Sequence, residues 1–229
     1  MITAIFDMDG TLVDSMGYWR TVALEYLQER GFQPSDELRD EVYRTSVRKT
    51  PAIFRRHFDI QDSDADMNAF FDARMAQHYR NDIGLKPGAA ECLERLRAAG
   101  VECVLATATW RTETMPLIAR LGIEKYFTGE RGQMIVCRDE MGMMKSDERY
   151  YPSLCARFGL EAGECVMFED ALYSMINAHA AGLRVWAIMD PTAAREHQRI
   201  RDIAEQCFDG WDEIAPGAQG NLWDKLLCG

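Results

Sequence analysis

The stretch ITAIFDMDGTLVDS, residues 2–15, is the most informative segment of this sequence. Its first five residues form a short apolar run, rich in β-branched and aromatic side chains, that ends abruptly in acids. This pattern is typical of a buried strand. Three later runs have the same character: VECVLATAT (101–109), ECVMF (164–168) and RVWAIM (184–189).

Helical patterns alternate with these strands, at residues 87–100, 113–122, 147–159 and 171–182. Each of them ends in Gly, a common stop signal for a helix. Strands that are buried on both faces and separated by helices usually form a parallel sheet. The sequence therefore predicts an α/β fold with a parallel sheet.

Residues 15–86 interrupt this alternation, because they contain helical patterns and no convincing strand. Four helices are expected there, at residues 15–31, 35–48, 51–58 and 63–80. Thr50 and Pro51 are expected to act as the N-cap and the first-turn residue of the third helix. The predicted organisation is an α/β core made of residues 1–14 and 87–229, with an all-helical insert at 15–86.

Composition excludes several classes of protein. The 229 residues include 26 Lys and Arg against 37 Asp and Glu, a net charge of −11 that argues against a nucleic-acid partner. The seven cysteines are an odd number without a C-x-x-C pair, so they are interpreted as small core residues in a reducing compartment. No signal-peptide pattern or long apolar segment occurs, and a cytoplasmic location without membrane contact is expected.

Two acids directly follow the first predicted strand. In an open α/β sheet, ligands bind beyond the carboxyl ends of the strands, where Asp7 and Asp9 would stand. One of them could act as nucleophile and metal ligand, and the other as general acid and base. The alternative interpretation is a solvated turn without a function.

Further polar groups follow other predicted strands or precede a helix: Thr107, Lys145, Glu169 and Asp170. Taken singly, Thr107 could cap its own turn, Lys145 could lie on the surface, and Asp170 could be a helix N-cap. Taken together, they supply carboxylates for a hard cation, a hydroxyl donor, and an ammonium beside concentrated negative charge.

The ordered set resembles the four motifs of the haloacid dehalogenase-like hydrolase superfamily: Asp7-Met8-Asp9-Gly10-Thr11, Thr107, Lys145 and Glu169-Asp170. The similarity is greatest to the phosphatase and β-phosphoglucomutase-like branch, through DMDGTLVDS, LKPGA, FEDAL and AAGL. The resemblance implies a Rossmann-like parallel-sheet core with an inserted all-helical cap domain, which residues 15–86 would form. It also implies a phosphatase acting on a small phosphorylated, sugar-like metabolite.

The resemblance also implies a role for each matching residue. Asp7 would attack phosphorus and form an aspartyl-phosphate, while Asp9 would serve as general acid and then as general base. Mg²⁺ would be held by Asp7, the carbonyl of Asp9 and Asp170, with Glu169 as a weaker candidate.

The phosphoryl group would be bound by the remaining motif residues. Thr107 and the backbone N–H groups that follow it, beginning with Ala108, would bind phosphoryl oxygens, and Lys145 would offset the negative charge.

Three positions depart from the family pattern. Ser146 and Ser174 stand where many relatives have Pro and Gly, and neither is expected to take part in chemistry. Trp19 stands where mutases of this branch have a His, which favours hydrolysis over phosphosugar mutation.

The insert also contains a basic run. Residues 42–58 include five Lys and Arg side chains and no acid: Arg44, Arg48, Lys49, Arg55 and Arg56. One interpretation is a solvated helix face. The other is that part of the run binds an anionic substrate, with Arg48 and Lys49 as first candidates because they flank the turn before Pro51.

Two other functions share parts of this pattern. A phosphosugar mutase would use the same first half-reaction. A phosphoryl-accepting receiver domain also combines acids, a Thr, a Lys and a phosphorylated Asp, but it needs neither Asp9 nor a 72-residue helical insert. A phosphate-binding relative without catalysis is disfavoured because both Asp7 and Asp9 are retained.

Overall fold

The computed structural model describes residues 2–129 and 131–214. By its backbone contacts the chain divides into two compact units, Met1–Asp14 with Gly84–Gly229, and Ser15–Ile83. The second unit begins at the same residue as the predicted insert and ends three residues before its predicted end. In the described part of the chain, no helix combines the length and the apolarity needed to cross a membrane.

The first unit is built on a six-stranded sheet of β1 (Thr3–Phe6), β2 (Glu102–Ala106), β5 (Ile135–Val136), β6 (Cys165–Glu169), β7 (Arg184–Ile188) and β8 (Gln206–Phe208). The strand order is β5-β2-β1-β6-β7-β8, and all pairs are parallel. A small antiparallel pair, β3 (Thr128–Gly129) and β4 (Gly132–Gln133), stands apart from it. The predicted α/β class with a parallel sheet is confirmed.

The helices of this unit are α5 (Ala89–Ala98), α6 (Arg111–Arg120), α7 (Arg138–Met141), α8 (Tyr150–Phe158), α9 (Leu172–Ala180) and α10 (His197–Ile203). The four predicted helices of the core end one or two residues before their predicted Gly. At the end of α8, Gly159 has a φ of 61°, a left-handed conformation that favours Gly over residues with a side chain.

The register of the three central strands determines where polar side chains emerge. Phe6 at the end of β1 is level with Leu105 of β2 and Phe168 of β6. Because the strands are parallel, the residues that follow them meet at one edge of the sheet. The apolar parts of these strands, at residues 4–6, 103–106 and 165–168, are buried, and the acids that follow β1 and end β6 stand at that edge.

The second unit consists of helices, α1 (Met16–Glu29), α2 (Asp36–Tyr43), α3 (Thr50–His57) and α4 (Asp64–Asn81), with a short 3₁₀ turn at Val47–Lys49. They bury aromatic side chains between them, including Tyr26, Phe54 and Phe71. Helix α4 begins with a capping box that the sequence analysis did not predict. The Ser63 hydroxyl oxygen accepts a hydrogen bond from the Asp66 backbone N–H at 3.1 Å.

Two details of this unit differ from the prediction. The helix expected over 35–48 ends at Tyr43, because Ser46 leaves the helical conformation with ψ at 134°. Thr50 is not an N-cap: it is the first residue of α3, and its hydroxyl donates to the Val47 carbonyl at 2.7 Å.

The sequence patterns also missed β5 and β8, which are too short to show a periodicity. Beyond β8, Trp211 is fully buried and its indole N–H donates to the Thr11 carbonyl at 2.8 Å, as expected of a tail residue that packs on the core. Trp223 lies outside the described residues.

Candidate active site

The carboxyl ends of β1, β2 and β6 bring the predicted residues of the first unit together. Asp7 follows β1, and its backbone N–H donates to the Phe168 carbonyl at 2.9 Å, which extends the sheet by one bond. Thr107 follows β2 and donates its N–H to Val136 at 2.9 Å. Glu169 is the last residue of β6.

The turn after Asp7 has a local cause. Gly10 has a φ of 79° and donates its N–H to the Val13 carbonyl at 3.0 Å, while Leu12 and Val13 both donate to Met8. A residue with a side chain at position 10 would be strained, which explains the Gly of the D-x-D-G motif. This tight turn holds Asp7 and Asp9 close to the sheet edge.

Lys145 lies between two carboxylates. Its ammonium donates to Oδ1 of Asp7 and, at 2.9 Å, to Oε2 of Glu169. Only 2% of Lys145 is exposed, so solvent does not compete for these bonds. Asn177 of α9 donates to the Lys145 carbonyl at 2.8 Å and fixes the backbone that carries the ammonium.

Glu169 accepts hydrogen bonds at both carboxylate oxygens. Oε1 accepts from the backbone N–H groups of Asp170 at 3.1 Å and Ala171 at 3.2 Å. Oε2 accepts from Lys145 at 2.9 Å and from the Ser174 hydroxyl at 2.5 Å. A carboxylate has about four acceptor positions, and here four donors occupy them.

Three buried acids form a group that could hold a metal ion. One oxygen from each of Asp7, Glu169 and Asp170 lies within 4.8 Å of the others. The Lys145 ammonium contacts two of these three carboxyl groups, so acidic groups outnumber the cation. Oxygen donors of this kind suit a hard divalent cation.

The acidic surroundings shift the protonation of this group. Burial, with the charges of Glu169 and Asp9, raises the pKa of Asp7 to about 8 despite the opposing Lys145 ammonium. Burial, followed by Glu169 and Asp7, also raises the pKa of Asp170 well above its usual value. Burial lowers the pKa of Lys145, but the charges of Asp7 and Glu169 outweigh it and raise that pKa well above its usual value. A bound cation would offset the excess charge and favour the ionised acids.

Asp9 has a partner that the sequence patterns missed. The Thr109 hydroxyl donates to Oδ2 of Asp9 at 2.6 Å, and the Thr109 N–H donates to the Thr107 hydroxyl oxygen at 3.0 Å. We expected strand structure as far as residue 109, whereas β2 ends at Ala106. The second Thr of the TAT sequence therefore lies in the turn, beside Asp9.

Thr107 is almost fully buried, and Ala108 is partly exposed. The Thr107 hydroxyl accepts from its own turn, as the simpler interpretation of a strand-end Thr requires. Because the hydroxyl only accepts in this bond, its proton remains available for donation to another group.

The basic run of the second unit is largely neutralised by acids from outside it. The acids lie on α2 and α4, and the pairs are Arg44–Asp40, Arg48–Asp72, Arg55–Asp64 and Arg56–Glu41. Arg48 is held by both carboxylate oxygens of Asp72, at 2.5 and 3.1 Å. Within the described ranges, the exposed Lys49 ammonium forms no hydrogen bond or ion pair.

Comparison with known proteins identifies the family. A family model described as haloacid dehalogenase-like hydrolase matches residues 4–188. The chain therefore belongs to the haloacid dehalogenase-like hydrolase family, and the resemblance seen in its motifs is confirmed.

The individual relatives compared below are less than 30% identical to this chain. The chain is 28% identical over 188 residues to the protein CbbY of Rhodobacter capsulatus, covering 79% of this chain and 82% of that protein. It is 24% identical over 190 residues to a phosphorylated carbohydrates phosphatase of Thermotoga maritima, covering 82% and 86%. A crystal structure of CbbY from Rhodobacter sphaeroides in complex with phosphate has the same fold, with a TM-score of 0.69 and 24% identity over 93% of this chain and 96% of that one.

Proposed function

We propose that this protein is a Mg²⁺-dependent phosphatase that hydrolyses a small phosphorylated metabolite of the phosphosugar type through an aspartyl-phosphate on Asp7. The observation that carries the proposal is the buried Asp7 carboxylate, which shares the Lys145 ammonium with Glu169 beside a third buried acid, Asp170. A phosphoryl group brings negative charge to such a site, and Lys145 and a cation would offset it.

The broad enzyme class, a phosphoric monoester hydrolase, follows from the family and from its curated phosphatases. The sugar-like substrate is proposed by analogy with the phosphorylated carbohydrates phosphatase of Thermotoga maritima. Identities below 30% do not carry a particular substrate from one protein to another.

The first half-reaction would transfer the phosphoryl group to the enzyme. A carboxylate oxygen of Asp7 forms the new bond to phosphorus while the bond from phosphorus to the substrate oxygen breaks. Asp9 gives its proton to the departing alkoxide, and the Thr109 hydroxyl holds Asp9 in place for that step. Lys145 neutralises part of the charge on Asp7 and on the incoming phosphoryl oxygens.

The second half-reaction would restore the enzyme. Asp9, now ionised, takes a proton from a water molecule that attacks phosphorus. The bond between phosphorus and Asp7 breaks, inorganic phosphate leaves, and Asp7 is a free carboxylate again. Thr107 and the N–H of Ala108 are proposed to bind phosphoryl oxygens in both steps.

The metal ligands proposed here are Asp7, Asp170 and the backbone carbonyl of Asp9. Glu169 is proposed to act from outside the coordination shell, since four donors already occupy its two oxygens. When bound, Mg²⁺ supplies charge stabilisation for the phosphoryl oxygens. Among the residues that the structure describes, the Thr11 hydroxyl donates to Oδ1 of Asp170 at 3.4 Å, and Oδ2 of Asp170 is proposed to bind the cation.

Trp19 favours hydrolysis over a mutase reaction. Its indole N–H donates to the Tyr79 hydroxyl at 3.1 Å, and an indole cannot exchange protons as the mutase His does. A receiver domain needs no general acid, so it would need neither Asp9 nor the Thr109 hydroxyl that donates to Asp9.

A substrate panel tests the proposal. The purified protein is assayed for phosphate release from phosphorylated sugars, polyols and nucleotides, with and without Mg²⁺. Release from sugar or polyol phosphates that requires Mg²⁺ would support the proposal. In a second assay, β-glucose 1-phosphate with a trace of the 1,6-bisphosphate should yield free phosphate. Rapid formation of glucose 6-phosphate would favour the mutase instead.

A further inference from the structure

Two hydroxyl groups extend the hydrogen-bond network of Glu169. Ser174 of α9 and Tyr151 of α8 are both fully buried. Their oxygens are 2.5 Å apart, and the Ser174 oxygen is also 2.5 Å from Oε2 of Glu169. Position 174 is therefore connected directly to the carboxylate that holds Lys145.

The direction of these hydrogen bonds follows from the chemistry of the groups. An ionised carboxylate can only accept, so Ser174 gives its single proton to Glu169. Tyr151 must then donate to the Ser174 oxygen. Burial raises the pKa of Tyr151 well above its usual value, so the phenol keeps the proton that this bond requires. The result is a line of donors that runs from Tyr151 through Ser174 to Glu169.

This line ends at an oxygen that Lys145 also uses. Oε2 of Glu169 accepts from Ser174 and from Lys145, whose ammonium has a second partner in Asp7. Donation from Ser174 removes electron density from Oε2 and so moderates its attraction for Lys145. It also occupies the acceptor site toward which the ammonium would otherwise shift.

We propose that Ser174 and Tyr151 are positioning residues that keep the Lys145 ammonium on Asp7 by holding and partly neutralising Glu169. Without the hydroxyl of Ser174, Glu169 draws Lys145 toward itself, and Asp7 loses part of the cation that stabilises the transferring phosphoryl group. Neither hydroxyl touches the reacting atoms. The inference rests on the proposed roles of Asp7 and Lys145.

Three single variants and one double variant test this inference. Ser174→Ala and Tyr151→Phe each remove one hydroxyl and keep the packing. Tyr150→Phe is the matched control: it lies next to Tyr151, is 2% exposed, and its hydroxyl has no hydrogen-bond partner among the residues that the structure describes. The double variant combines Ser174→Ala with Tyr151→Phe.

The readouts are kcat and KM for p-nitrophenyl phosphate, with thermal unfolding to compare stability. Ser174→Ala should lower kcat by about tenfold, the usual value of one hydrogen bond to a charged group. Tyr151→Phe should lower it by about threefold, because it acts one bond further away. KM should stay within about twofold of wild type, since Lys145 acts mainly on the transition state. Tyr150→Phe should keep the wild-type kcat.

The double variant distinguishes a linked pair from two separate contributions. If Tyr151 acts only through Ser174, the double variant should have the kcat of Ser174→Ala alone. The inference is overturned if Ser174→Ala keeps the wild-type kcat, if the two losses multiply, or if Tyr150→Phe loses as much activity as Tyr151→Phe. Should Ser174→Ala fail to fold, an unchanged kcat in Tyr151→Phe overturns it equally.

The proposed function is tested separately in the same assay by Asp7→Asn. If Asp7→Asn is active, the proposed function fails whatever the hydroxyl variants do. If Asp7→Asn is inactive and the hydroxyl variants behave as wild type, only the inference about Ser174 and Tyr151 fails.

Discussion

The Lys145 ammonium donates to the Asp7 carboxylate, although 138 positions separate the two residues in the chain. Asp7 follows β1, and Lys145 comes from the segment between α7 and α8. Both side chains are nearly fully buried, so this contact exists only in the folded protein. The contact places the Lys145 ammonium, which would stabilise the incoming phosphoryl group, beside the proposed nucleophile Asp7. The following predictions depend on this contact.

Asp7→Asn should abolish hydrolysis of p-nitrophenyl phosphate, because an amide cannot form the bond to phosphorus at a useful rate. The fold should persist, since Asn has nearly the same shape as Asp. The measurement is steady-state phosphate release, with circular dichroism to verify folding. Asp202→Asn, at an exposed position of α10, is the matched control and should be fully active. Activity in Asp7→Asn would remove Asp7 from the mechanism.

Metal binding should release protons in a manner that depends on pH. The metal-free pKa of Asp7 is about 8, raised from its usual value, so the group is mostly protonated at pH 6.5 and mostly ionised at pH 9. A cation needs the ionised form and must displace the proton at the lower pH. Mg²⁺ should therefore bind more weakly as the pH falls below about 8.

Calorimetric titration of the metal-free protein with Mg²⁺, in buffers of different ionisation enthalpy, measures this release. Proton release should be larger at pH 6.5 than at pH 9, and EDTA should abolish activity until Mg²⁺ is restored. Equal Mg²⁺ affinity at both pH values, without proton release, would argue against Asp7 as a ligand.

Thr109 is expected to affect catalysis by holding the Asp9 carboxyl group in place. Thr109→Val removes the hydroxyl that donates to Asp9 at 2.6 Å, and it should lower kcat by about tenfold, the usual value of a hydrogen bond to a charged group. Thr109→Ser keeps the hydroxyl and should retain most of the activity. Thr112→Val changes an exposed Thr on α6 and serves as the control. Equal kcat values for Thr109→Val and Thr109→Ser would show that the hydrogen bond to Asp9 has no role.

The basic run of the second unit is tested with two substrates. Lys49→Ala should lower kcat/KM by at least about tenfold for the best sugar phosphate of the panel, because an ammonium that binds an anionic substrate contributes a charge-assisted hydrogen bond. It should change p-nitrophenyl phosphate turnover by less than about threefold. Arg48→Ala should lower kcat/KM for the sugar phosphate by a smaller factor than Lys49→Ala, since Asp72 already binds the Arg48 guanidinium. Arg56→Ala, which breaks the pair with Glu41, is the control, and losses equal to those of Lys49→Ala would argue against specific binding.

The sequence predicted the parts of the molecule that depend on local patterns. The buried strands β1, β2, β6 and β7 were visible because each is an apolar run bounded by polar residues. The short strands β5 and β8 were not, since two or three residues show no periodicity and only pairing in the sheet makes them strands. The Asp7 turn was visible because two acids directly follow the apolar run of β1, and the positive φ of Gly10 explains the Gly of that turn.

Contacts between distant side chains could not be predicted in this way. The acids that pair with the arginines of the basic run lie on α2 and α4, so the run itself gives no sign of these pairs. Thr109 and Ser174 are ordinary residues in sequence, and the roles proposed for them depend on the carboxylates that the fold brings to them. The occupied oxygens of Glu169 likewise follow from the structure alone.

Detection of a phosphorylated Asp7 is the most direct test of the central claim. The leaving group of p-nitrophenyl phosphate departs without a proton, so Asp9→Asn should still accept the phosphoryl group but should hydrolyse the intermediate roughly 10²–10⁴-fold more slowly. The variant is mixed with this substrate and Mg²⁺, quenched in acid, digested and analysed by mass spectrometry. We predict one phosphoryl group on the peptide that contains Asp7, and none when Asp7→Asn is added to Asp9→Asn. A phosphoryl group on another residue, or turnover by Asp9→Asn at the wild-type rate with no labelled peptide, would contradict the account.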